Sequence, residues 1–114
     1  MIKKTILLTF ILISSITNAE FINCMDGYKI KAAYVAGDRE DKHFFANKLV
    51  IILNKECAGK KYITSWSENP AYYVFFSTAL AAKTKGFDIE VGVNTNNGKE
   101  TVLSNDIGYI GIVE

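Results

Sequence analysis

Asn69-Pro70-Ala71-Tyr72-Tyr73-Val74-Phe75-Phe76-Ser77-Thr78-Ala79-Leu80-Ala81-Ala82-Lys83-Thr84-Lys85-Gly86 is the stretch on which the fold turns. Beyond the N-terminal segment it is the one run that reads as a helix, and what flanks it reads as strand. Asn69 can cap the first free N–H groups, and Pro70 suits the first helical position, where its missing donor is not needed. Lys83 and Lys85 fall in the last turn, where the helix dipole favours cations. Gly86 can take the left-handed conformation that ends a helix. Tyr72, Tyr73, Phe76, Ala79, Leu80 and the stem of Lys83 follow amphipathic spacing, so this face is expected to be buried. The opposite stripe, Val74, Ser77, Thr78, Ala81, Thr84 and Lys85, is small rather than strongly charged. A second surface can approach such a stripe closely. Val74, Ser77, Thr78 and Ala81 are therefore the candidates for an oligomer interface.

Strands are expected on both sides of this helix. Residues 22–35 alternate Tyr28, Ile30, Ala32 and Tyr34 with Lys29 and Lys31, the period of a half-buried strand. Gly37-Asp38-Arg39-Glu40-Asp41-Lys42 has no apolar residue and reads as an exposed turn. Residues 43–53 contain Leu49-Val50-Ile51-Ile52-Leu53, too apolar for a strand with one wet face, which places it centrally or against a neighbouring subunit. After a turn over 54–59, residues 60–66 form a third strand. Beyond Gly86, Phe87, Ile89, Val91 and Val93 point one way and Asp88 and Glu90 the other. Residues 94–99 read as a hairpin loop with Asn97-Gly98 its tight turn. The last strand is expected over 107–113, where Gly108 and Gly111 mark a bulge or a close backbone approach. Three strands, a helix and two strands is the order of an OB-fold, a small mainly β barrel with one helix between its third and fourth strands. The alternative is an open α+β sheet with the helix on one face.

The front of the chain reads as a targeting segment. Lys3 and Lys4 precede an apolar run from Thr5 to Ile13, followed by Ser14, Ser15 and Thr17-Asn18-Ala19. This is the pattern of a bacterial secretory signal peptide with cleavage after Ala19. The run is too short for a membrane anchor, which takes roughly 20 apolar residues. Residues 20–114 are then one domain, exported to the periplasm or secreted. Thirteen basic against twelve acidic residues is near neutrality and argues against a nucleic-acid binder, whose footprint is a basic face.

Cys24 and Cys57 fit export. An isolated pair in a small exported domain is expected to form a disulfide, and the pair's midpoint falls within the turn 37–42, as for a bridge across the open end of one long hairpin. A metal centre would need more ligands than these and His43, the single histidine, can offer. The sequence carries no nucleophile elbow, zinc helix motif, phosphate-binding glycine loop or Cys-x-x-Cys, so neither catalysis nor a cofactor is expected. Asp38, Glu40 and Asp41 read as a solvated loop, with calcium as the alternative. Tyr28, Tyr62 and Trp66 are candidates for sugar stacking or for the core. Asn94 offers a polar group suited to hydroxyl recognition or to an ordinary hairpin.

Trp66, Ala79-Leu80, Thr84, Gly86 and the alternating Ile89, Val91 and Val93 resemble the equivalent stretch in receptor-binding subunits of the subtilase-cytotoxin and typhoid-toxin type. They also resemble a wider set of small exported proteins of unassigned role. The resemblance spans residues 62–93. It implies an OB-fold subunit that forms a ring of five with the helices lining its channel. It also implies a sialylated host glycan as ligand and an exported catalytic subunit as partner. Two departures stand out: the cysteine arrangement differs, and Gly92 and Val93 replace aromatic residues that the toxin subunits' sugar site draws from this strand. Three readings follow. The first is a non-catalytic, ring-forming module that binds a host glycan. The second is a stand-alone exported OB-fold protein that binds another protein, and the third, an enzyme, has no motif behind it.

Overall fold

The computed structural model describes residues 20–113, so the expected signal peptide lies outside the described residues. The chain is mainly β. Its elements are β1 (Phe21–Tyr28), β2 (Ile30–Ala36), β3 (Lys48–Cys57), β4 (Lys60–Trp66), α1 (Tyr72–Lys85), β5 (Asp88–Asn94) and β6 (Ser104–Val113). They build one six-stranded mixed sheet of order β1-β5-β6-β4-β3-β2. The β4–β6 pair is parallel and the other four pairs are antiparallel.

The expected first strand is two strands. Asp26 and Gly27 take positive φ angles of 72° and 82°, and the β1–β5 register shifts between Cys24 and Tyr28. Backbone of this kind turns a strand out of its ladder. Only Lys29 separates β1 from β2, yet the two lie at opposite edges of the sheet. The edges therefore come together at one corner, where Tyr28 donates its hydroxyl to the Glu56 carbonyl at 2.7 Å and Lys55 Nζ donates to the Asp26 carbonyl at 2.8 Å. No ladder joins β1 to β2 among the described residues, so the hydrogen-bonded sheet does not close.

β3 starts at Lys48 rather than His43, because residues 43–47 form a turn in which His43 Nδ1 accepts from the Phe45 N–H at 3.0 Å. The apolar run of β3 is central, as its composition requires: Leu49, Val50, Ile51 and Leu53 are all fully buried. The β3–β4 hairpin turns on Ala58 and Gly59, both at positive φ, and so is tighter than the expected 54–59 turn. The bridge between Cys24 and Cys57 is formed, with 5.9 Å between the Cα atoms. It sits just past the open end of the β2–β3 ladder, where β1 departs toward β5.

α1 begins at Tyr72. Asn69 Oδ1 accepts from the Ala71 N–H at 2.9 Å, one turn ahead of the helix proper, so Asn69 and Pro70 shape the entry and not the first turn. Gly86 caps the other end at φ 69°, with Lys83 and Lys85 in the last turn. The buried face is Tyr72, Phe75, Ala79 and Ala82, with Phe76 half-buried against the core. Tyr73 and Leu80, expected inside, are 77% and 42% exposed. The paired aromatics Tyr72-Tyr73 and Phe75-Phe76 fit two neighbouring faces, and packing against β2 and β6 selects the first member of each pair.

On the outer surface of β5 and β6, Phe21 and Tyr109 lie over backbone without side chains. A Cβ at Gly92 would overlap both rings, and one at Gly108 would overlap Phe21. Gly108 is also the residue left unpaired where the β5–β6 register shifts, so the expected bulge is there. Gly92→Val is expected to lower stability by about 1–3 kcal/mol, the usual cost of overpacking, read from a urea midpoint. An unchanged midpoint would mean that both rings swing away freely.

Candidate functional site

Trp66 closes β4 at one end of the sheet, opposite Lys48 in the β3–β4 register. The residue is 37% exposed, and Lys48 Nζ lies 5.3 Å from the ring centroid. That ammonium donates to the Phe44 carbonyl at 2.8 Å, and burial pushes its pKa below the ordinary lysine value. The chain then turns tightly toward α1. The Asn69 N–H donates to the Trp66 carbonyl at 3.0 Å, and the Tyr72 N–H donates to the Asn69 carbonyl at 3.0 Å. These bonds hold Glu68, Asn69 and Pro70 beside the indole.

Asp106 faces them from β6. It pairs with Thr64 of β4 on one side and with Asn94 of β5 on the other, so two ladders fix its backbone. The residue is only 3% exposed. Its Oδ2 receives the Asn94 and Asn97 side-chain amides, each at 3.0 Å. Its Oδ1 is buried and accepts no hydrogen bond from any described residue. Leaving a buried acceptor unsatisfied costs about 1–3 kcal/mol, and the two amides on Oδ2 offset part of that cost. Trp66, Glu68, Asn69, Pro70, Lys99 and Asp106 together line a hollow of about 220 Å³. An apolar ring beside convergent polar groups is the make-up of a small-molecule site.

Of the four residues proposed from sequence to touch a ligand, two meet here: Trp66 lines the hollow and Asn94 holds its carboxylate. Tyr62 lies earlier on β4, half-buried, with the Phe45 ring 5.5 Å from its own. Tyr28 is at the opposite end of β3, committed to Glu56 and with Lys55 Nζ 4.5 Å from its ring centroid. Asp106 escaped sequence reading. Ser104, Asn105 and Asp106 are polar and look like loop, yet all three are buried where β6 runs parallel to β4. Their satisfaction explains this: Ser104 Oγ pairs with Thr64 Oγ1 at 2.9 Å, and Asn105 Nδ2 donates to the Cys57 carbonyl at 3.0 Å. Lys99 is likewise placed by its loop, its N–H donating to Asn97 Oδ1 at 3.0 Å.

His43 packs on Phe44, ring centroids 4.3 Å apart, outside the hollow. Asp41 is drawn to Arg39, whose hydrogen bond holds its carboxyl below the usual range, in a turn whose residues 37–42 are all exposed. No group of His, Cys, Asp and Glu able to hold a metal occurs among the described residues. Of the interface candidates on α1, Val74, Ser77 and Ala81 are exposed and Thr78 is half-buried. Comparison with family models, with curated proteins and with solved structures finds no match to this chain.

Proposed function

We propose that the chain is an exported, non-catalytic binding subunit that recognises a host glycan and assembles into a ring through its helix. The observation that carries this reading is the hollow beside Trp66, where an aromatic ring, Lys99, Asn69 and the acidic residues Glu68 and Asp106 converge. Aromatic rings stack on the C–H face of a sugar, and fixed amides and carboxylates take its hydroxyls. The strand order supports an OB-fold reading of the sheet as a partly open barrel. One continuous segment supplies both edges, and the strand after the hairpin loop runs parallel to the strand before the helix. The disulfide fits an oxidising compartment, periplasmic or extracellular.

Ring assembly is supported by the outward stripe of α1. Tyr73 and Val74 are 77% and 65% exposed, Leu80 is open beside Ser77 and Ala81, and no acidic residue interrupts the helix. A contiguous apolar patch on a small domain marks an interaction surface. The resemblance to toxin receptor-binding subunits implies five copies, a sialylated glycan and an exported catalytic subunit docked on the ring. The same stripe favours a second reading, a stand-alone protein whose partner is another protein.

Light scattering on residues 20–114 is expected to return a mass near five chains. A monomer at micromolar concentration would leave the second reading. A glycan array is expected to retain the chain on a limited set of oligosaccharides, and a blank array would overturn glycan recognition.

A further inference from the structure

Asn97-Gly98 lies in the loop between β5 and β6, and it is a chemically reactive pair. A side-chain amide followed by glycine can be attacked by the glycine's own backbone nitrogen, because no side chain blocks the approach. Gly98 sits at φ 85°, and a Cβ there would meet nothing within 4 Å. Both residues are exposed, so water reaches them. Each reacting group is nevertheless tied down. The Gly98 N–H donates to Glu100 Oε1 at 2.8 Å, the Asn97 amide nitrogen donates to Asp106 Oδ2 at 3.0 Å, and Asn97 Oδ1 accepts from the Lys99 N–H at 3.0 Å. Attack needs a Gly98 nitrogen stripped of its proton, and a carboxylate beside it disfavours that anion. Departure needs a proton delivered to the amide nitrogen, whereas the Asp106 carboxylate there is an acceptor. The Lys99 N–H favours attack by polarising the amide carbonyl, but the two bonds to carboxylates oppose it, and charge-assisted bonds are roughly twice as strong.

We propose that Asn97 is a site of spontaneous deamidation that the folded loop holds back, and that its conversion detaches residues 96–100 from the sheet. In the reaction the Gly98 nitrogen gives up its proton and bonds to Asn97 Cγ, and the Cγ–Nδ2 bond breaks as ammonia leaves with that proton. Water then opens the cyclic imide at either carbonyl, leaving an aspartate or an isoaspartate linkage. The product replaces a donor by a second carboxylate facing Asp106 Oδ2. Asp106 is 3% exposed and keeps, among the side-chain donors of the described residues, only the Asn94 amide at 3.0 Å. The two like charges therefore push the loop outward. Its far end stays held, because Lys60 Nζ donates to the Thr101 carbonyl at 2.8 Å and Thr101 Oγ1 pairs with Ser104 Oγ at 2.7 Å. Lys99 lines the Trp66 hollow, so conversion also opens that wall, whatever the hollow binds.

The test incubates the purified folded chain beside a synthetic peptide of residues 94–101 in one buffer, with conversion at Asn97 followed by peptide mapping. The peptide is expected to convert about tenfold faster, the worth of a hydrogen bond to a charged acceptor. Glu100→Ala frees the Gly98 N–H and is expected to raise the folded chain's rate by about the same factor. Equal rates in chain and peptide overturn the protection, as does a folded Glu100→Ala chain no faster than wild type. If that variant does not fold, the comparison with the peptide decides alone. Release of the loop is read by amide hydrogen exchange in Asn97→Asp against Asn97→Ala, which loses the same bond without adding a charge. Asn97→Asp is expected to exchange about tenfold faster across residues 96–100, while residues 49–53 keep their protection. Equal exchange in the two variants, or loss of protection at residues 49–53 as well, overturns a local release.

Discussion

Cys57→Ser lowers the stability of the domain by about 2–5 kcal/mol, the usual cost of losing a disulfide from a small exported domain. Cys24 lies in an edge strand and Cys57 at the end of a central one, 33 residues apart in sequence, and both are buried. The bridge fixes the corner at which the chain leaves one edge of the sheet for the other. Without it the side-chain bonds that hold that corner are solvent-exposed ones such as Asn54 Nδ2 donating to the Gly27 carbonyl at 3.0 Å and the Lys29 N–H donating to Asn54 Oδ1 at 3.0 Å. Each contributes about 0.5–1.5 kcal/mol net, and less where water competes. A denaturant midpoint reports the loss. Trp66 pairs with Lys48 at the far end of the β3–β4 ladder, so its native-state fluorescence should be unchanged. Two alkylatable thiols in the native, unreduced protein, or an unmoved midpoint, would contradict the bridge.

Phe75→Ala is expected to cost about 3–5 kcal/mol, and Tyr73→Ala no more than about 0.5 kcal/mol. Phe75 is 6% exposed within the core cluster, which also holds Tyr72, Ala79, Ile63 and Val91, whereas Tyr73 is 77% exposed. Deleting the Phe75 ring removes its transfer free energy and leaves a cavity that the sheet cannot collapse to fill. Paired denaturant titrations of the two variants check the helix's rotation. A large loss at Tyr73 with little at Phe75 would restore the face expected from spacing alone. If α1 forms a ring, Tyr73→Ala should still lower the solution mass while leaving the fold intact.

Much of this architecture is written locally. The helix and its glycine stop, the central apolar strand, the charged turn and the cysteine pairing each rest on composition or spacing within one segment. What escaped has a non-local cause. The alternation from Tyr28 to Tyr34 extends the expected strand back over residues 22–27, and only Asp26-Gly27 betrays that the chain changes edges there. The helix face was ambiguous because adjacent aromatics differ by one helical step, and only the packed sheet selects between them. Asp106 was hidden because a buried polar residue is legible only through partners distant in sequence, here Asn94, Asn97 and the parallel neighbour Thr64. Chemistry alone makes Trp66 and Asn94 ligand candidates, and it is the fold that sets them around the same carboxylate.

Trp66 is the single tryptophan in the chain, so intrinsic fluorescence reports on the hollow and on nothing else of its kind. The most direct measurement is the fluorescence of residues 20–114 during titration with the oligosaccharides retained on an array, paired with array binding of Trp66→Ala. Glycan recognition in the hollow predicts a saturable fluorescence change, and loss of array binding by a Trp66→Ala chain that keeps its fold and solution mass. Unchanged fluorescence at saturation, with Trp66→Ala retained on the same glycans, would contradict it.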